Sequence, residues 1–132
     1  MTRANYIGAP EMFNLNQACH ALVAAFGPHL YLVGSSLERR DFRDVDVRCI
    51  LPDDEFDRLF PGAYPCNYAL TALWSVMCSS ISLWLSQQSG LKIDFQIQRM
   101  TQANEEEPGT RAALGLFLAR EQRAVEGDAD GR

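Results

Sequence analysis

Residues 33–51 read VGSSLERRDFRDVDVRCIL. From Arg43 onward the side chains alternate: Val45, Val47, Cys49 and Leu51 fall on one face, and Asp44, Asp46, Arg48 and Ile50 on the other. This period of two predicts a half-buried strand. Just upstream, His29 to Val33 (HLYLV) is a short apolar run bounded by Gly27-Pro28 and Gly34, which predicts a buried strand. Ser35 or Ser36 then caps a brief helix through Arg40. Downstream, Leu91 to Gln98 (LKIDFQIQ) repeats the alternation, with Leu91, Ile93, Phe95 and Ile97 opposite Lys92, Asp94, Gln96 and Gln98.

Helices are expected around these strands. Asn14 to Phe26 carries an apolar stripe at Leu15, Ala18, Cys19, Leu22, Val23 and Phe26 before Gly27-Pro28 stops it. Pro52-Asp53-Asp54-Glu55 opens a short helix that closes near Phe60, with proline in the first turn and acids at the positive end of the helix dipole. Asn67 to Gln88 predicts a long helix stopped by Gly90, with Leu70, Leu73 or Trp74, Met77, Ile81, and Trp84 or Leu85 facing inward. Its apolar surface is wider than one face, so residues 67–88 are a candidate contact for a second copy or another protein. After Met100 a polar stretch with Glu105-Glu106-Glu107-Pro108-Gly109 reads as a loop, and Thr110 caps a last helix bearing Leu114, Phe117 and Leu118. The fold class that follows is α+β: a small mixed sheet with helices packed on one face and the aspartate-bearing face left open.

A chain of 132 residues with 47% hydrophobic content fits one domain, here 1–126, with a motif core at 30–98 and a mobile tail at 127–132. The net charge of −5 argues against an extended nucleic-acid surface, which needs clustered cations. Of the 12 basic residues only Lys92 is a lysine. Cys19, Cys49, Cys66 and Cys78 show no CxxC spacing and read as buried thiols in a reducing compartment. The N-terminus lacks the order of a secretory signal, so a cytoplasmic location is expected. Residues 69–85 are mostly apolar but carry Thr71, Ser75, Ser79, Ser80 and Ser82, which favours a buried helix over a membrane span.

Asp44 and Asp46, two apart on a strand, point the same way, roughly 7 Å apart along the backbone. Asp94 sits on the polar face of another strand that can align with theirs. Three gathered carboxylates repel one another unless a cation joins them, and oxygen ligands of this kind suit magnesium. Two such ions, or Mn²⁺ in their place, activate a hydroxyl, stabilise a transferred phosphate and hold the leaving oxygen. Gly34 lets the backbone approach a triphosphate, and Ser35 with the following amides supplies donors. Arg39, Arg40, Arg43 and Arg48 cluster here; they either neutralise a triphosphate or pair with Glu38, Asp41 and the aspartates themselves. Arg48 and Lys92 share the aspartate face. His20 and His29 have no partner at metal or triad spacing and read as structural. Tyr64, Tyr68, Trp74 and Trp84 are read as packing residues rather than base-stacking ones.

VGSSLERRDFRDVDVRCIL followed by KIDFQI resembles the nucleotidyltransferase superfamily that includes DNA polymerase β and the minimal nucleotidyltransferases. That pattern is a strand ending in Gly-Ser, a short helix, Asp-x-Asp on the next strand and a third acid on a later one. The resemblance spans Leu30 to Gln98 and implies a polymerase β palm-like fold. It implies that Gly34 and Ser35 hold the triphosphate of an NTP such as ATP; Ser36 next to them, and Arg48 and Lys92 on the aspartate face, are further candidate nucleotide contacts. Asp44, Asp46 and Asp94 would bind two Mg²⁺ ions, and Asp94 would serve as base. The implied activity moves an NMP to a hydroxyl of a small molecule, RNA end or protein. The alternative is a non-catalytic or partner-dependent module, such as the antitoxin half of a toxin–antitoxin pair. A glycosyltransferase, which also uses Asp-x-Asp, needs a longer chain.

Overall fold

The computed structural model describes residues 5–64 and 71–116. Helix α1 spans Ala9–Phe26, strand β1 Leu30–Val33, and a single 3-10 turn Ser35–Leu37. Strand β2 then runs Val45–Leu51, α2 Asp53–Leu59, α3 Ala72–Ser89, β3 Ile93–Arg99, α4 Met100–Glu106 and β4 Ala112–Ala113. The four strands form one mixed sheet in the order β3-β2-β1-β4. Strand β1 is antiparallel to β2 and to β4, whereas β2 and β3 run parallel. A parallel pair needs a crossover, and α2 with α3 provides it. The fold is thus α+β, with a small mixed sheet and, among the described residues, four helices.

The alternation read in the sequence sets the core. Val45, Val47, Cys49 and Leu51 from β2 and Ile93, Phe95 and Ile97 from β3 are buried in one cluster with Leu15, Cys19 and Leu22 of α1, Phe56 of α2, and Cys78 and Leu85 of α3. Helix α1 starts five residues before the expected Asn14, because Pro10 fits a first turn, where its missing N–H is not needed.

The outer edge of β3 is closed by α3. Trp74 Nε1 donates to the Ile97 carbonyl at 2.7 Å, and Cys78 Sγ accepts from Ile97 N–H at 3.4 Å. Ser82 Oγ accepts from Phe95 N–H at 2.8 Å, and Ser86 Oγ from Ile93 N–H at 3.0 Å. These four residues recur every fourth position and so share one face of the helix. Ser82, one of the serines that interrupt the apolar run, and Ser86 are therefore partners of an edge strand that would otherwise expose its backbone. Of the residues expected to face inward, Trp74 and Leu85 are buried, while Leu73 and Trp84 are exposed. Gly90 ends the helix in the left-handed conformation, as expected.

Helix α4 departs from the expected loop. It continues directly from β3, and its N-terminal turn is fixed by Asp53, which accepts from both the amide and hydroxyl of Thr101. It packs on β2 and β3 with Ala103 buried. Its following residue, Glu107, reaches Arg48 on the face expected to stay open; Arg48, Ile50 and Gln98 are buried there. Helices therefore do not keep to one face. Thr110 caps no helix within the described residues; instead Ala112–Ala113 pairs with β1. Expectations at Cys66, Tyr68 and Leu70, for the last helix at Phe117 and Leu118, and for the tail lie outside the described residues. Among the described residues, no helix is long and apolar enough to cross a membrane.

Candidate functional site

The N-terminal ends of the parallel strands β2 and β3 meet the C-terminal end of antiparallel β1. In this register Asp46 is the direct partner of Asp94 across β2–β3, and of Val33 across β1–β2. Two carboxylates thus stand side by side on neighbouring strands, about 4.8 Å apart at the backbone. Asp44 lies one residue before β2, and the Val45 amide donates to the Lys92 carbonyl at 2.8 Å, which ties the start of β2 to β3. The structure therefore brings all three sequence-predicted aspartates to one end of the sheet. Their side chains are 48%, 27% and 46% exposed for Asp44, Asp46 and Asp94, so solvent and solute reach them.

Gly34 follows β1 with φ +80° and ψ −156°, a conformation open mainly to glycine. A Cβ there would collide with Asp46 Oδ2, so the missing side chain is what lets the carboxylate lie against the turn. Ser35 and Ser36 then diverge. Ser35 lines a cleft of about 460 Å³ with Arg39, Asp41, Arg43, Asp44 and Asp46, whereas Ser36 is fully buried.

Arg48 lies inside the carboxylate cluster, the second of the two arrangements its sequence context allowed. Its side chain is only 7% exposed, with Nη2 3.4 Å from Asp94 Oδ2 and 3.9 Å from Asp46 Oδ1, and Nε 3.8 Å from Glu107 Oε1. Nη1 donates to the Asp94 carbonyl at 2.7 Å and to the Val47 carbonyl at 3.1 Å. Glu107 is a fourth carboxylate that sequence reasoning missed, because nothing in an acidic run marks which residue will fold back. Burial raises the Asp46 carboxyl above the usual carboxylate range; Arg48 opposes the rise, and Asp94, Glu107 and Asp44 add to it.

Lys92 is exposed, with Nζ 3.3 Å from Asp44 Oδ1. It belongs to a second cleft, about 350 Å³, that runs along α3 and β3 past Ser75, Ser79, Asp94 and Gln96. Asp44 borders both clefts. The arginine-lined cleft and the serine-lined one thus adjoin at the aspartates.

The donor set is all oxygen, which suits a hard cation. Among the described residues no three His, Cys, Asp or Glu side chains converge closely enough to cage an ion by themselves. The residues instead fit an ion that brings part of its own coordination. Magnesium sites of this kind use one or two carboxylates together with water and substrate phosphates.

Burial pushes the Cys19 and Cys49 thiols up to about 12 and Cys78 to about 11, so none of the three is a nucleophile. His29 lies 3.9 Å from Glu55, well away from the aspartates in sequence and outside both clefts. Tyr64 stacks under the Arg99 guanidinium at 3.8 Å.

No protein-family model, curated protein or solved structure gives a significant match to the chain.

Proposed function

We propose that the protein is a divalent-metal-dependent nucleotidyltransferase of the polymerase β type, moving a nucleoside monophosphate from an NTP to an acceptor hydroxyl. The observation that carries this reading is the pairing of Asp46 with Asp94 across parallel strands, with Gly34 shaped to receive the Asp46 carboxylate. Alternation alone puts acids on a strand face; the register and the glycine give them a common point.

The two clefts adjoin at Asp44 and offer separate places for the two substrates. Arg39 and Arg43 line the cleft with Ser35, which suits the phosphates of an NTP. The cleft along α3, lined by Ser75 and Ser79, takes the acceptor. The acceptor oxygen attacks the α-phosphorus, the bond to the bridging oxygen breaks, and pyrophosphate leaves. The hydroxyl proton passes to Asp94, whose side chain borders the acceptor cleft. Asp44 and Asp46 would hold a magnesium ion, which would supply positive charge to the phosphate oxygens.

Binding of the four NTPs tests this before any acceptor is known. A ligand that binds only the folded state raises its melting temperature. At least one NTP with Mg²⁺ is expected to raise it in the wild type and not in Asp46→Asn. Equal shifts in both proteins would remove the aspartates from the site.

A second reading, a non-catalytic or partner-dependent module of the same fold, is favoured by one surface. Leu73, Val76 and Leu83 are 51%, 62% and 62% exposed and, with Trp84, lie on the face of α3 turned away from the core. Such a stripe suits a second copy or another protein. Light scattering on the purified chain separates the readings: a monomer that turns over alone excludes the need for a partner.

A further inference from the structure

Two of the hydrogen bonds that hold the Arg48 guanidinium go to main-chain carbonyls, and a third runs from Nη2 to Asp94 Oδ2 at 3.4 Å. Nη1 is anchored to two main-chain carbonyls, those of Val47 and Asp94, at 3.1 and 2.7 Å. This leaves Nη2 directed between the carboxylates of Asp46 and Asp94, 3.9 and 3.4 Å away. A main-chain-anchored, buried guanidinium stays charged and stays put whatever those carboxylates bind. An ion bridging Asp46 and Asp94 would have to sit within a few ångströms of this fixed positive charge, in a partly desolvated setting where repulsion is strong.

The other side of the cluster differs. Among the described residues, the ion pair at Asp44 is with the Lys92 ammonium, and Lys92 is 82% exposed. Exposed pairs of this kind contribute little, so a divalent cation displaces such a lysine easily. Asp44 and Asp46 also share the cleft with Ser35, Arg39 and Arg43, while Asp94 does not line it.

The geometry points to a site for one divalent ion rather than two: Asp44 and Asp46 hold it, and the Arg48 guanidinium takes the place of the ion that would bridge Asp46 and Asp94. This inference rests on the reading of Asp44 and Asp46 as metal ligands. It makes Arg48 a positioning residue that orients Asp94 and fixes the metal count, with no direct contact to nucleotide.

Titration with Mn²⁺, followed by electron paramagnetic resonance on the full chain without nucleotide, tests it. The wild type is expected to bind one ion. Asp44→Asn and Asp46→Asn each weaken binding at least tenfold, while Asp94→Asn stays within about threefold. Arg48→Met removes the guanidinium and admits a second ion. Two ions on the wild type, or a loss in Asp94→Asn as large as in Asp44→Asn, would overturn the inference and leave the enzyme reading standing. No bound ion on the wild type at millimolar Mn²⁺ would instead count against the metal site itself. Should Arg48→Met fail to fold, the wild-type count and the Asp94→Asn comparison still decide.

Discussion

The Asp46 carboxylate fills the space that a side chain on residue 34 would occupy, so the glycine just after β1 and an aspartate on β2 shape each other. Gly34→Ala therefore carries two costs. Its positive φ is strained for alanine, and the new methyl forces Asp46 out of line with Asp94. The backbone part alone costs about 1–3 kcal/mol. Chemical denaturation is expected to show that loss, together with loss of Mg²⁺-dependent NTP binding. A variant that binds NTP as the wild type does would mean that the close approach is incidental.

The edge of β3 depends on hydroxyls more than its apolar helix suggests. Ser82 Oγ accepts from the Phe95 amide at 2.8 Å and also lies 3.3 Å from the Phe95 carbonyl as a donor. Ser82→Ala leaves that amide unpaired beside the helix and is expected to cost about 1–3 kcal/mol. Ser80→Ala, at an exposed position on the same helix, is expected to stay within about 0.5 kcal/mol. Urea unfolding of the two variants checks the contrast.

Asp53 ties α2 to α4, and its carboxyl is held below the usual range first by the Thr101 hydroxyl, then by the Thr101 amide and the Arg99 charge. With the folded value below the unfolded value of about 3.9, the folded state binds fewer protons between the two, so stability rises with pH there. The contribution is complete above the unfolded value and disappears as pH falls through the folded one. Asp53→Ala is expected to be less stable than the wild type by about 1 kcal/mol at neutral pH. That gap should close in strong acid, as measured by thermal melts across pH.

Burial also makes a prediction for the thiols. With Cys19, Cys49 and Cys78 all raised to about 11 or 12, none presents a thiolate near neutral pH. A Cys66→Ser chain is expected to react with a thiol reagent only after unfolding. Rapid labelling of the native protein would contradict the buried placement of these residues.

Alternation in two short segments was enough to place Asp46 and Asp94 on polar faces and Val47 and Phe95 in the core, because a strand's period of two leaves no other choice. The Asp46–Asp94 pairing was not legible, since register depends on how β2 and β3 slide against each other. Arg48 and Glu107 were harder still. Their contact joins residues far apart in sequence through α4, whose polar composition reads as a loop because only Ala103 is buried. The inward face of α3 was ambiguous for the opposite reason: apolar residues surround the helix, and the positions that matter are Ser82 and Ser86, chosen for hydrogen bonds rather than hydrophobicity.

Transfer of label from an α-labelled NTP, in Mg²⁺ or Mn²⁺ and with an acceptor mixture of small hydroxyl compounds, RNA and protein, tests the central claim most directly. Labelled product is expected with the wild type and reduced at least 100-fold in Asp44→Asn, Asp46→Asn and Asp94→Asn, the scale expected when a group acting on the transition state is removed. Equal activity in the wild type and all three variants would contradict the claim that these aspartates form a nucleotidyl-transfer site.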